Sequence, residues 1–155
     1  MKIKLIQLGK NKDSLEQAMV DFVKRLGKFC DLDIMTLKDL KPSKTFSPER
    51  CVKEEGEMIL RAIPGDEFVV ALDEKGKEMN SIAFAEFLSE KLDQGRAITF
   101  IIGGAFGLAE KVKERADLQL SFSKMTFTHQ MIRIFLLEQL WRGFCIINGK
   151  EYHHD

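Results

Sequence analysis

Phe100 to Leu108 reads FIIGGAFGL: a strongly apolar run meets Gly103, Gly104 and Gly107 and then gives way to a helical pattern. Glycine at the carboxyl end of a buried strand lets a ligand or another stretch of backbone approach the main chain, because no Cβ intervenes. The spacing leaves both readings open, a ligand site and a plain tight turn. Titratable groups gather farther on. His129 and Arg133 stand four apart, Glu138 and Arg142 likewise in the favourable acid-first order, and Tyr152, His153 and His154 follow in a polar tail. Each pair reads either as buried charge satisfied within one helix or as part of a reaction centre. Imidazole titrates at about 6.5, so such a tail is suited to binding phosphate or moving a proton, although a frayed surface tail would look the same.

Several glycine-dependent chemistries are excluded by spacing. A dinucleotide site would carry G-x-G-x-x-G in the first strand-to-helix turn, whereas this G-G-x-x-G falls in the fourth. Gly76-Lys77 and Gly149-Lys150 are each followed by Glu, so no P-loop is present, and Gln7-Leu8-Gly9 lacks the carboxylates of a phosphoacceptor domain.

The positioning elements follow from periodicity. Residues 2 to 8 form a strand ending at Gly9, and Asn11 to Ser14 offer caps for a helix whose apolar face is Leu15, Ala18, Met19, Phe22 and Leu26. Residues 30 to 37 alternate as a half-buried edge strand. Ser47-Pro48 then opens a helix that ends at Pro64-Gly65. Phe68 to Leu72 form the third strand, from which Asp73 to Lys77 turn away, and Ser81 caps a helix ending at Gly95. Ala97 to Ile102 form the fourth strand, Leu108 to Ala116 a short helix, Leu118 to Phe122 the fifth strand, and about Thr128 to Phe144 the last helix. Five alternations with short connections predict one α/β domain over residues 1–155: a mostly parallel sheet with helices on both faces. Ligands of such sheets lie beyond the carboxyl ends of the strands, where Gly103 to Gly107 and Leu72-Asp73 fall. The last helix is apolar around its whole circumference. It is expected to pack one face on the sheet and another on a second copy, making a homodimer.

Composition narrows the partners. Lys plus Arg and Asp plus Glu are both 24 in 155 residues, so no overall field draws in nucleic acid, and RNA would have to be met by a local patch and by shape. Cys30, Cys51 and Cys145 are odd in number and far apart, which argues against disulfides and a zinc site. With no stretch apolar enough for a signal peptide or a span, the expectation is a cytoplasmic protein with no membrane or metal partner.

Taken in order, Leu72 to Lys77, Phe100 to Leu108, Leu120 to Thr126, His129 to Arg133, Glu138 to Arg142 and Tyr152-His153 resemble one family over the full length. It is the ribosomal RNA large subunit methyltransferase H family of the SPOUT superfamily. The resemblance implies a C-terminal trefoil knot holding S-adenosyl-L-methionine, an exception to the rule against knots. It assigns cofactor contacts to Leu72, Gly103, Phe122, Ser123, Lys124, Met125, Thr126 and Phe127. The bare Gly103 is expected to let the backbone approach the cofactor. The implied reaction is methylation of N3 of a pseudouridine in helix 69 of 23S rRNA on the assembled ribosome. His153 and Tyr152 are the implied groups for orienting or deprotonating the base, Arg142 for stabilising the imide anion, and Glu138 for holding Arg142. His129 and Arg133 are assigned to RNA phosphate or to the knot, and His154 to RNA. Thr128 and Trp141 stand where the family often has proline and tyrosine, and His154-Asp155 where a basic residue is usual. Alternatives are a superfamily member acting on a transfer RNA and a dimeric flavodoxin-like binding module.

Overall fold

The computed structural model describes residues 1–150, so Tyr152, His153 and His154 lie outside the described residues. The elements are β1 (Lys2–Leu8), α1 (Asp13–Leu26), β2 (Asp31–Leu37), α2 (Pro48–Ala62), β3 (Phe68–Glu78), α3 (Ser81–Asp93), β4 (Ile98–Ile102), α4 (Glu110–Arg115), β5 (Leu118–Ser121) and α5 (His129–Ile147). The strands form one sheet in the order β2-β1-β4-β3-β5, and every pairing is parallel.

That order makes β4 the middle strand. Its sequence ITFII is buried throughout, as a strand covered on both faces requires. Successive side chains point to opposite faces, and the core divides accordingly. Ile98, Phe100 and Ile102 join Leu5, Val70 and Leu120 under α1, α3 and α5, through Met19, Leu88, Leu136 and Leu140. Ile101 joins Ile6 and Val69 on the other face, under Ile59 of α2 and Val112 of α4. Thr99, the polar member of β4, donates its hydroxyl to the buried Glu67 carboxylate. The edge position expected for β2 is observed, and its residues alternate between exposed and half-buried.

Three details differ from the sequence expectation. Strand β3 does not end at Leu72: Leu72 and Lys77 both pair with Leu120, so Asp73 to Gly76 loop out and the chain rejoins the sheet. Its polar continuation concealed a strand because Lys77 and Glu78 lie at the exposed end of the sheet. Gly76 permits the return, since a Cβ there would lie 2.7 Å from the Gln119 backbone. The cap of α3 is Asn80, which accepts from the Ala83 amide at 2.8 Å, and Ser81 instead donates to Gln139 of α5 at 2.8 Å. Helix α1 begins after Lys12 without a side-chain cap, although Ser47 and Pro48 open α2 as expected. The three cysteines are buried and free. Among the described residues no metal-binding cluster occurs and no helix is long and apolar enough to cross a membrane.

Overpacking at a backbone crossing costs about 1–3 kcal/mol. Gly76→Ala is therefore expected to lower unfolding stability by about that much in urea titration, while Gly65→Ala, with open space around its Cβ, stays within about 0.5 kcal/mol.

Candidate active site

A cavity of about 1060 Å³ opens over the carboxyl ends of β3, β4 and β5. Its walls are Leu72 to Lys75, Ile102 to Leu108, Leu120 to Ser123 and Met125 to Ile132, with Lys12, Leu15 and Lys113 at the margins. Leu72, Gly103, Phe122, Ser123, Met125, Thr126 and Phe127 all line it. Lys124, exposed beside them, does not.

The glycine cluster is a tight turn and a cavity wall at once. The Gly107 amide donates to the Gly104 carbonyl at 3.2 Å, closing the turn, and Gly107 adopts φ 83°. A Cβ on Gly103 would lie 2.8 Å from the Gly107 carbonyl carbon and oxygen. The expectation that Gly103 is bare to admit a ligand is thus corrected in its immediate cause: the atoms that need the space belong to Gly107. Behind the turn, a Cβ on Gly104 would stand 3.1 Å from the buried Glu55 carboxylate, which accepts from the Leu40 amide at 2.8 Å. Burial pushes the Glu55 carboxyl above its ordinary range.

The loop-out of β3 builds the second wall. Asp73 accepts from the Lys75 amide at 2.8 Å, and Lys113 reaches Asp73 at 3.6 Å and Glu110 at 2.9 Å. The hydrogen bond to Glu110, then Asp73, holds the Lys113 ammonium above its usual range against a burial penalty. The third wall is the segment after β5. There the Ser121 hydroxyl donates to the Ser123 carbonyl at 2.9 Å, and the Ser123 hydroxyl accepts from the Met125 amide at 3.0 Å. Thr126 donates to Glu74 at 2.9 Å, clasping this segment to the β3 loop. Sequence reasoning missed Lys12, Lys113 and Glu74 as cavity residues, because each is brought there by a partner distant in the chain.

Helix α5 supplies the remaining candidates. Half-buried His129 lines the cavity. Burial, then the Arg133 charge, hold its imidazole below the ordinary 6.5, with Asp39 opposing. Arg133 is fully buried. It donates to the carbonyls of Leu8 and Gly9, the latter at 3.0 Å, and to Asn11 Oδ1 at 2.6 Å. Desolvation lowers its pKa to about 10, which leaves it cationic near neutrality. A contact with RNA phosphate is therefore replaced by a structural tie between α5 and the end of β1. Glu138 and Arg142 do form the expected pair, Nη2 to Oε1 at 2.6 Å and Nε to Oε1 at 3.0 Å. They stand outside the cavity lining, Arg142 nine residues beyond Arg133, which is about 14 Å along the helix. A single chain does not bring them to the cofactor candidates.

A parallel sheet with a cavity over its strand ends defines an α/β ligand-binding class, and solved structures share this fold. A probable methylase family protein from Haemophilus influenzae Rd KW20 superposes with a TM-score of 0.60 at 12% identity, covering 99% of this chain and 70% of that one. A probable methyltransferase from Bordetella pertussis Tohama I gives 0.61 at 12% identity, covering 91% and 95%. The family model described as "Predicted SPOUT methyltransferase" matches residues 1–153. The ribosomal RNA large subunit methyltransferase H of Carboxydothermus hydrogenoformans is 44% identical over 99% of both chains. Its namesake from Bacteroides fragilis is 41% identical over 100% of both. The chain belongs to the SPOUT methyltransferases, in the ribosomal RNA large subunit methyltransferase H family.

Two outcomes follow from the α5 geometry. Arg133→Met strands the buried Leu8 and Gly9 carbonyls and is expected to destabilise the chain in urea unfolding, at about 1–3 kcal/mol for each acceptor left unsatisfied. Below pH 6.5 the unfolded chain binds more protons at His129 than the folded one. Stability should therefore fall as the pH drops from there through the depressed folded value. His129→Gln is expected to flatten that slope in thermal melts.

Proposed function

We propose that this chain transfers a methyl group from S-adenosyl-L-methionine to N3 of a pseudouridine in helix 69 of 23S rRNA, on the assembled ribosome. The observation that carries the proposal is the cavity at three strand ends, built from the segments that match the methyltransferase H pattern. The relatives' names support large-subunit rRNA as substrate, and the motif resemblance supports the particular base.

The residues present fit the cofactor. A volume of about 1060 Å³ accommodates a nucleoside with an amino-acid arm. Leu72, Ile102, Leu120 and Phe122 offer apolar walls, and the backbone of residues 103–107 and 121–127 offers hydrogen-bonding groups. When bound, the cofactor supplies an electrophilic methyl on a sulfonium centre. Leu72, Gly103 and Phe122 to Phe127 hold it, with Lys124 serving from the margin, and their apolar side chains exclude water. His153, aided by Tyr152, orients the base and takes the N3 proton on an imidazole nitrogen. Arg142, held by Glu138, stabilises the imide anion left on the base.

This assignment requires two copies. Glu138 and Arg142 lie off the cavity in their own chain, and Ile134, Phe135 and Ile146 of the same helix are only half-buried. A cytoplasmic homodimer, one copy's cavity facing the other's Arg142 and tail, satisfies both facts. The trefoil knot has similar support. Residues 122–128 leave β5 at the sheet edge, and Gln130 accepts from the Lys12 amide beside β1 at 3.2 Å. The chain therefore crosses three strand spacings, about 14 Å, over the ends from which the β3 and β4 turns rise.

Mass spectrometry of 23S rRNA from cells lacking the protein is expected to show the helix 69 pseudouridine unmethylated. The purified chain with cofactor should restore the methyl on intact ribosomes far better than on the isolated stem-loop. Methylation unchanged in the deleted cells would refute the substrate, and equal turnover on both would refute the ribosome requirement. Gly103→Val, by displacing Gly107, is expected to abolish S-adenosylhomocysteine binding in calorimetry while the chain stays folded; retained affinity would remove the turn from the site.

A further inference from the structure

Two loops at the strand ends of this neutral chain carry exposed lysines. The loop after β1 carries Lys10 and Lys12, and the loop after β2 carries Lys38, Lys41 and Lys44 at every third position. All five are exposed. Among the described residues no carboxylate forms an ion pair with any of them. By contrast Lys113, on the far side of the cavity, is held by Asp73 and Glu110.

The β2–α2 loop is a built feature. Its root is fixed by the Gly9 amide on the Leu37 carbonyl at 2.8 Å and by the Leu40 amide on Glu55. Its tip is closed by reciprocal Ser43 and Phe46 backbone hydrogen bonds of 2.9 and 3.3 Å, with Lys44 inside the turn. The Arg50 guanidinium sits 4.8 Å over the Phe46 ring and braces the descending limb. Because the sheet is parallel, this loop rises from the same edge as the cavity. With β1 beside β4 and β2 next outward, its root lies about 10 Å across the sheet from the glycine turn. Asp39, on this loop, is close enough to influence His129 on the cavity wall.

We infer that the lysines of the β1–α1 and β2–α2 loops form the surface that receives rRNA phosphates flanking the target nucleotide. A base entering the cavity must leave its stack, so its own backbone has to run along the strand ends. Unpaired ammonium groups are sequence-indifferent phosphate partners, which suits contacts that position a substrate whose identity is read elsewhere. A local patch of this kind also reconciles zero net charge with an RNA substrate.

The inference rests on the methyltransferase reading, and the test separates the two. With wild-type chain, cofactor and intact ribosomes, methylation is measured over a range of salt. Replacing Lys38, Lys41 and Lys44 together by Gln is expected to raise KM for ribosomes at least tenfold. It should leave kcat at saturation and S-adenosylhomocysteine affinity unchanged, and reduce the dependence of log KM on log salt by about 2–3. Replacing the same three by Arg should preserve wild-type KM. Unchanged KM and salt dependence in the Gln variant would overturn the inference, and so would a fall in kcat alone. If the Gln variant loses cofactor affinity, Lys44→Glu at the loop tip decides: a raised KM supports the surface, an unchanged one sinks it. The three native cysteines are buried, so Lys44→Cys can carry a photocrosslinker selectively. Crosslinks to 23S rRNA are expected, and crosslinks confined to ribosomal protein would overturn the assignment. A wild-type chain that methylates no rRNA would instead refute the underlying reading.

Discussion

The buried guanidinium of Arg133 holds the site together. After β5, at one edge of the sheet, the chain must travel back across the strand ends before α5 can pack on the α1 and α3 face. The Phe127 and Phe135 rings meet edge-on at 5.2 Å, but both belong to the returning chain and do not tie it to β1. Arg133 supplies the anchor by donating to the Leu8 and Gly9 carbonyls, which the end of β1 leaves unpaired, and to Asn11. A charged group fully out of water is costly unless its donors are used; Nε makes no hydrogen bond among the described residues, and the bonds of the two terminal nitrogens specify where α5 lands. The cavity is the space that this landing leaves beneath the crossing.

Backbone clearance sets the other walls. Gly103 is bare because Gly107 folds back on it, and Gly76 is bare because β3 must return over Gln119. In both places the missing Cβ serves the chain's own packing. The cavity wall is a consequence, since a turn closed by the Gly107 amide presents its remaining amides and carbonyls in one fixed direction. Thr126 and Glu74 then join two of the walls, so that the crossing segment and the β3 loop hold each other.

Much of this was legible in the residues. Continuous apolar runs such as ITFII placed the buried strands, because a parallel sheet covered on both faces requires them, and helical spacing placed the helices. The strand-end rule placed the cavity. What stayed hidden depends on contacts between distant residues. The return of β3 is written in polar residues at an exposed end, and the cap of α3 passed from Ser81 to Asn80 because Gln139 of α5 claims the serine hydroxyl. Arg133 read as half of a buried pair with His129 or as part of a reaction centre, since i,i+4 spacing says nothing of the carbonyls that await it at the end of β1. Lys113 and Lys12 enter the cavity by sheet order alone.

The distribution of ionised groups ties these observations to the proposed chemistry. Inside the cavity wall, the imidazole of His129 is held toward its neutral form by burial and by Arg133, which keeps added positive charge away from a cationic sulfonium. Of the unpaired lysines on the β1 and β2 side, Lys12 stands at the cavity margin and the others outside it, while the Glu138 and Arg142 pair waits farther along α5. A cationic methyl donor and an anionic RNA backbone make opposite electrostatic demands, and a net-neutral chain meets both only by separating them in space. In the proposed dimer the partner's Arg142 would bring positive charge to the imide only when the base arrives between the two copies.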